Sequence, residues 1–309
     1  MVTRMAAGDV RVGISGWSYR HWRGDFYPEG LPIKRELEFA LARFATIEVN
    51  RTFYSLVSPA SFSRWYDSAP EGFQYAIKGS RFITHNKKLR DVGDGLANFF
   101  ASGLLELGEK LGPILWQVGP HLAFDPDRLR GFLEQLPSDT AEMAWMSRHQ
   151  TLPGRETVTE TDVIRPVRHV LEARHPSWFT GEASSLAREF GMAFAASHSS
   201  RWPYVEEVTA PFVYVRLHGP AELYSSPYSS DFLWDLAGRV VDWSRGRPQA
   251  PKPGKDRLGR DVYVYFDNDT GGYAPRQARL LDRMVRTELS QGHRRVGPGR
   301  NDDQNGQQL

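Results

Sequence analysis

Short β-type runs alternate with helix-type runs along this chain in a pattern of eight β-then-α units, and no other feature narrows the fold as much. The β runs are Val10–Ile14, the segment around Ile47–Asn50, Phe73–Lys78, Pro113–Val118, Arg168–Arg174, Met192–Ser197, Phe212–His218 and Asp261–Phe266. Helical spacing of apolar residues marks Lys34–Phe44, Pro59–Asp67, about Leu96 to Leu111, Asp125–Leu136, Glu182–Phe190, Phe232–Trp243 and Arg276–Leu289. Strands and helices in alternation build a parallel sheet with helical crossovers. Eight units ending in a helix, in a chain of 309 residues, predict a single-domain α/β TIM (β/α)8 barrel with outer helices. An open doubly wound sheet is the rival, but no Gly-rich dinucleotide fingerprint follows the first strand.

Two strands show why such a barrel would carry a pocket. In Phe212–His218, Val213, Val215 and Leu217 face one way while Tyr214, Arg216 and His218 face the other. In T-I-E-V-N, Ile47 and Val49 alternate with Glu48 and Asn50, which reads as a buried strand delivering a carboxylate and an amide to a cavity. The barrel is expected over residues 10–289, with a flexible 1–9 and a disordered polar tail at 290–309. Two loop excursions interrupt it: 138–166, with no clean period, as a lid or surface excursion, and 246–259, rich in Lys, Arg, Pro and Gly, as a mobile loop.

Composition removes several chemistries. There is no cysteine, so disulfides, thiolate metal sites and cysteine nucleophiles are excluded. A net charge of +2 does not by itself indicate nucleic-acid binding, so any anion site must be local. No apolar run approaches a membrane span of roughly 20 residues, and the first nine residues lack a signal-peptide core. A cytoplasmic protein without a membrane partner is expected, and its oligomeric state is left unassigned.

In a TIM barrel the reactive groups gather at the C-terminal ends of the strands. Those ends supply Ser15 and Trp17, Glu48 and Asn50, Lys78, Gln117, then Glu172, Arg174 and His175, Ser197 and His198, Arg216 and His218, and Asp267 and Asn268. Glu48, Glu172 and Asp267 oppose Lys78, Arg174 and Arg216. Either the six form a self-satisfying ion-pair network, or the cations clamp a phosphate or carboxylate while a carboxylate moves protons. Convergence of polar groups on one rim favours the second. Glu48 and Glu172 are then the acid/base candidates, and His218 and His85 secondary proton carriers. Lys78, Arg174 and Arg216 hold the anion, Asn50 and Gln117 orient it, and Trp17, Tyr19, Tyr54 and Trp178 are candidates to stack on a ring. His175, Asp267 and Asn268 complete the expected binding set. The histidines show no metal spacing such as H-E-x-x-H, so no metal ligand and no cofactor is assigned, and a divalent metal is kept as an alternative.

As a set, these segments resemble the YecE-like family of bacterial and archaeal proteins, domain of unknown function 72. The matching stretches are G-I-S-G-W-S-Y-R-H-W with F-Y-P (Gly13–Trp22, Phe26–Pro28), E-V-N-R-T-F-Y (Glu48–Tyr54) and K-G-S-R-F-I-T-H (Lys78–His85). They continue with L-W-Q-V-G-P (Leu115–Pro120), E-A-R-H-P-S-W (Glu172–Trp178), V-R-L-H-G (Val215–Gly219) and V-Y-F-D-N-D (Val264–Asp269). The resemblance implies a TIM barrel and supplies no activity. The chain departs from the pattern where the sixth strand ends A-A-S-H-S rather than in an acid, where Asp267 replaces the more usual Asn, and in the length of 138–166. Three functions stay open: an enzyme acting on an anionic small or polymeric substrate, a metal-dependent phosphodiesterase by analogy with endonuclease IV-type barrels, and a non-catalytic ligand- or nucleic-acid-binding protein.

Overall fold

The computed structural model describes residues 7–247 and 259–290, so the expected loop 246–259 and the expected tails 1–9 and 290–309 lie mostly outside the described residues. Nine parallel strands, β1 (Val10–Ser15), β2 (Thr46–Val49), β3 (Gln74–Lys78), β4 (Leu111–Gln117), β5 (His169–Glu172), β6 (Ala193–Phe194), β7 (Ala196–His198), β8 (Phe212–Leu217) and β9 (Asp261–Phe266), line up in the order β6-β5-β4-β3-β2-β1-β9-β8-β7. The two ends of that order are consecutive in the chain. β6 pairs with β5 and β7 with β8, while the amide of Ala195 between them donates to Leu171 at 2.9 Å. The barrel therefore closes through one strand position divided at Ala195, giving eight strand positions; the sixth is followed by a loop over 199–211 and not by a helix.

Around it, among the described residues, lie α1 (Glu36–Leu41), α2 (Arg51–Tyr54), α3 (Pro59–Ser68), α4 (Gly93–Ala101), α5 (Pro126–Leu133), α6 (Thr140–Ser147), α7 (Gly181–Glu189), α8 (Ser230–Ser244) and α9 (Tyr273–Ser290). Local chemistry sets their starts: Pro59 and Pro126 stand in first turns, and the Asp125 carboxylate accepts the Arg128 amide at 3.0 Å.

The single helix expected over about Leu96 to Leu111 is instead α4, a run of 3₁₀ turns over Leu104–Lys110, and the start of β4. Gly103 ends α4 with φ at 128°, and a Cβ there would lie 2.7 Å from the Cα of Pro59. The 138–166 excursion contains α6, capped by Asp139, with Met143 and Ala144 buried and Trp145 exposed. Its hydrogen bonds reach Leu56 after α2, and Asn98, Ala101, Gly108 and Glu109 along α4 and before β4.

Strand alternation sorts the apolar residues into two cores. Outward residues such as Val12, Ile14, Val213, Val215, Leu217, Val262, Val264 and Phe266 pack under the helices. Inward residues Ala76, Leu115, Val170, Phe212, Tyr214, Tyr263 and Tyr265 fill the barrel. Tyr214 and Tyr265 pack with ring centroids 4.9 Å apart. Their hydroxyls reach upward and sideways, Tyr265 to Thr46 at 2.7 Å and Tyr214 to Glu48 at 2.6 Å. This aromatic floor seals the barrel beneath a charged layer.

Candidate functional site at the C-terminal rim

Two residues beyond Tyr214 on the inward face of β8, Arg216 sits at the centre of that layer with no solvent exposure. Its Nε and Nη2 grip both oxygens of Glu48 at 3.0 and 2.6 Å, Nη1 reaches Glu172 Oε2 at 2.6 Å, and Nη2 reaches Asp267 Oδ2 at 3.0 Å. The planar fork of guanidinium donors suits this three-carboxylate task, which a lysine could not perform. Burial would lower the Arg216 pKa, but Glu172, Glu48 and Asp267 outweigh it and hold the group charged. The expectation that Arg216 clamps a ligand is therefore corrected: its donors are spent on the protein.

Glu172, at the end of β5, is also wholly buried. Its Oε1 accepts from Arg174 Nη2 at 3.1 Å, from Ser197 at 2.8 Å, and lies 3.0 Å from His218 Nε2. Burial pushes its pKa up, yet Arg174, Arg216 and His218 hold it well below the usual carboxylate range. Asp267 behaves alike: burial is overcome by Arg216, His218 and Lys78, and its pKa is held down. Glu48 accepts from Ser15, Tyr214 and Arg216 and has no exposure. Glu48 and Glu172, the expected acid/base pair, are thus both buried and engaged by the protein's own donors. His218 lies between Glu172 and Asp267, with Nδ1 3.0 Å from Asp267 Oδ2 and Nε2 3.0 Å from Glu172 Oε1. The Nδ1 contact is an ion-pair distance without a directional hydrogen bond.

Lys78, at the end of β3, is the buried cation of this layer that stands apart. Among the described residues its Nζ makes neither a salt bridge nor a hydrogen bond, and it lies 4.6 Å from the ring centroid of Phe53. Its carbonyl is pinned by the Thr52 hydroxyl at 2.7 Å. Burial first, then Arg216, lower its pKa to about 8, against opposing pulls from Asp267, Glu48 and Glu172. The same quarter of the rim holds His85, whose Nδ1 contacts the Thr84 hydroxyl at 2.9 Å and whose ring meets Phe53 edge-on at 5.2 Å. Burial, then Lys78, Arg174 and Arg81, lower the His85 pKa, so cations converge there.

The remaining expected residues divide. Asn50 donates to Ser15 Oγ at 2.9 Å while its Oδ1 is buried without a donor. Tyr19 donates to the Ser15 carbonyl at 2.7 Å, on a turn that Gly16 makes with φ at 78°. Gln117 is buried and donates to the Val118 carbonyl at 3.1 Å. Trp17 packs edge-on against Trp65.

Trp178 is wholly buried, its indole bound to the Leu122 carbonyl at 2.7 Å, and it serves packing. Asn268 is buried and ties Ser226 to Gln277. His175 caps the turn at Ser177, and Tyr54 points to solvent. His198 faces outward among Tyr204, Tyr228 and Phe232.

Sequence reasoning missed Trp202 and Tyr224, which follow β7 and β8. Trp202 carries the Arg174 guanidinium 4.0 Å above its ring and meets His218 edge-on at 5.1 Å, while Tyr224 flanks His218 at 5.6 Å. Aromatics just past a strand end were the signal, weighed only for earlier strands. Asp269 was also missed; burial and the neighbouring Asp267 raise its pKa to about 6. Among the described residues, no group of three or more His, Asp or Glu is arranged to hold a metal ion. No described helix is long and apolar enough to cross a membrane.

Residues 11–300 match the family model described as "Protein of unknown function DUF72". The chain is 21% identical over 299 residues to UPF0759 protein YunF of Bacillus subtilis, covering 91% of this chain and 96% of that protein. It is 27% identical over 133 residues to UPF0759 protein YecE of Escherichia coli, covering 42% of this chain and 45% of that protein. Among solved structures, a DUF72 family protein from Thermotoga maritima superposes with a TM-score of 0.69 at 26% identity, over 90% of this chain and 99% of that one. A DUF72 family protein from Enterococcus faecalis shares the fold at a TM-score of 0.64 and 15% identity, over 95% and 100%.

Proposed function

For a chain that belongs to the DUF72 family, we propose an enzymatic role in which an anionic substrate group, phosphate or carboxylate, binds at Lys78 beside Arg174. One observation carries this reading: Arg216 engages all three rim carboxylates and leaves Lys78, among the described residues, a buried cation with no salt bridge or hydrogen bond at Nζ. An ammonium in that position gains from an incoming anion what it lacks from the protein. Arg174, braced by Glu172 and by the Trp202 ring, offers a second positive edge, and His85 stands near both. Proton transfer falls to His218. Its two nitrogens lie against Glu172 and Asp267, which hold the ring in one orientation.

Lys78 binds an anion in its charged form, so affinity is expected to fall as pH rises through about 8. The test is a thermal-shift screen of phosphorylated and carboxylated metabolites on the parent protein and on Lys78→Met. Stabilisation by an anion that Lys78→Met loses supports the reading; stabilisation that survives the substitution rejects it.

A further inference from the structure

Beside the rim opens a groove of about 740 Å³, a size suited to a small ligand. It lies between the loop after β1, the segment leading into α1, and α3. Trp17 and Trp65, meeting edge to face at 5.5 Å, give it an aromatic wall, which Ile33 and Leu37 extend. Lys34, Arg51 and Arg64 stand exposed around it with no ion pair among the described residues, and the carboxylates Glu38 and Asp67 share the same lining.

Asn50 joins this groove to the charged layer. Its Nδ2 donates to Ser15, whose hydroxyl donates to Glu48 and lies 3.3 Å from Arg216 Nη2. Its Oδ1 is buried with no donor among the described residues. The groove thus presents an aromatic face and three cations against two carboxylates, with Asn50 linking it to the charged layer.

We propose that the groove seats the base and ribose of a nucleoside phosphate whose phosphate lies on Lys78 and Arg174. The proposal rests on the anion reading above and names its substrate class. Trp17 stacks on the base, and Lys34, Arg51 and Arg64, which outnumber Glu38 and Asp67, favour the negative charge. A sugar phosphate satisfies the rim but wastes the aromatic wall; a bare nucleoside does the reverse.

The test is calorimetric titration of the parent protein, Trp17→Ala and Lys78→Met with adenosine monophosphate, adenosine, ribose 5-phosphate and inorganic phosphate. Adenosine monophosphate is expected to bind about ten-fold tighter than ribose 5-phosphate, from base stacking. Trp17→Ala should erase that margin and leave ribose 5-phosphate unchanged, while Lys78→Met weakens both. Should Trp17→Ala fail to fold, Trp17→Phe is expected to keep a reduced margin and Arg51→Ala to weaken adenosine monophosphate binding. Equal binding of the two phosphates to the parent overturns the groove proposal, even if Lys78→Met still abolishes phosphate binding. A stacking margin that persists while Lys78→Met changes nothing overturns the anion reading and the phosphate placement.

Discussion

Replacing Lys78 with methionine gives a thermodynamic reading of the site that needs no substrate. Folding moves the Lys78 pKa from 10.5 to about 8. The folded state therefore binds fewer protons than the unfolded one between those values, and this group's contribution to stability rises with pH across that window. Below the folded pKa the charged ammonium costs about 3 kcal/mol relative to a neutral side chain, at roughly 1.36 kcal/mol per unit. Methionine fills a similar space and does not titrate. The stability difference between Lys78→Met and the parent should therefore favour the variant most near neutral pH, and by about 2 kcal/mol less near pH 9.5. Guanidinium melts of both proteins at a series of pH values measure it, because the other titrating groups cancel in the difference. A difference that stays constant from pH 7 to about 9.5 would refute the claim that Lys78 lies buried and unpaired.

Other substitutions test the layers around it. Arg216→Met strands three buried carboxylates and should cost about 3–5 kcal/mol or more; the deficit should shrink as pH falls toward 4 and those carboxylates protonate, a trend visible in thermal melts. In the parent, Glu172 has a depressed folded pKa, so its contribution is present above its unfolded value and lost as pH falls through the folded one. Trp178→Ala should cost about 3–5 kcal/mol by cavity formation. Trp145→Ala, at an exposed position, should stay within roughly 0.5 kcal/mol by the same melts.

The barrel was legible because its strands alternate cleanly. Val213, Val215 and Leu217 pack under helices while Tyr214, Arg216 and His218 turn inward, as the spacing of that segment predicts. The break at Ala195 was not legible, since Ala-Ala-Ser-His carries no turn signal and the division arises from closing the barrel. Nor was the end of α4 at Gly103, where contact with Pro59 stops a helix that local apolar periodicity would have continued.

At the site, the sequence located Glu48, Lys78, Glu172, Arg174, Arg216, His218 and Asp267 on one rim but could not say who pairs with whom. Of the two readings weighed for their charges, the ion-pair network is the one that the contacts of Arg216 match. Arg216 with its carboxylates forms a self-satisfied network, and Lys78 remains outside it. Trp178 looked like a stacking residue by its position after β5; only its packing against Leu122 and Phe124 shows otherwise. Trp202 and Tyr224 reach His218 through loop conformations that spacing does not encode.

The most direct test of the account follows the Lys78 side chain itself. In protein carrying ¹³C-labelled lysine, assigned through Lys78→Met, its titration is recorded by NMR with and without saturating inorganic phosphate, or the tightest anion from the screen. The account predicts a free pKa near 8 that rises when the anion binds, because the paired ammonium is then favoured. A Lys78 pKa that is the same in both titrations, with the anion bound, would contradict it.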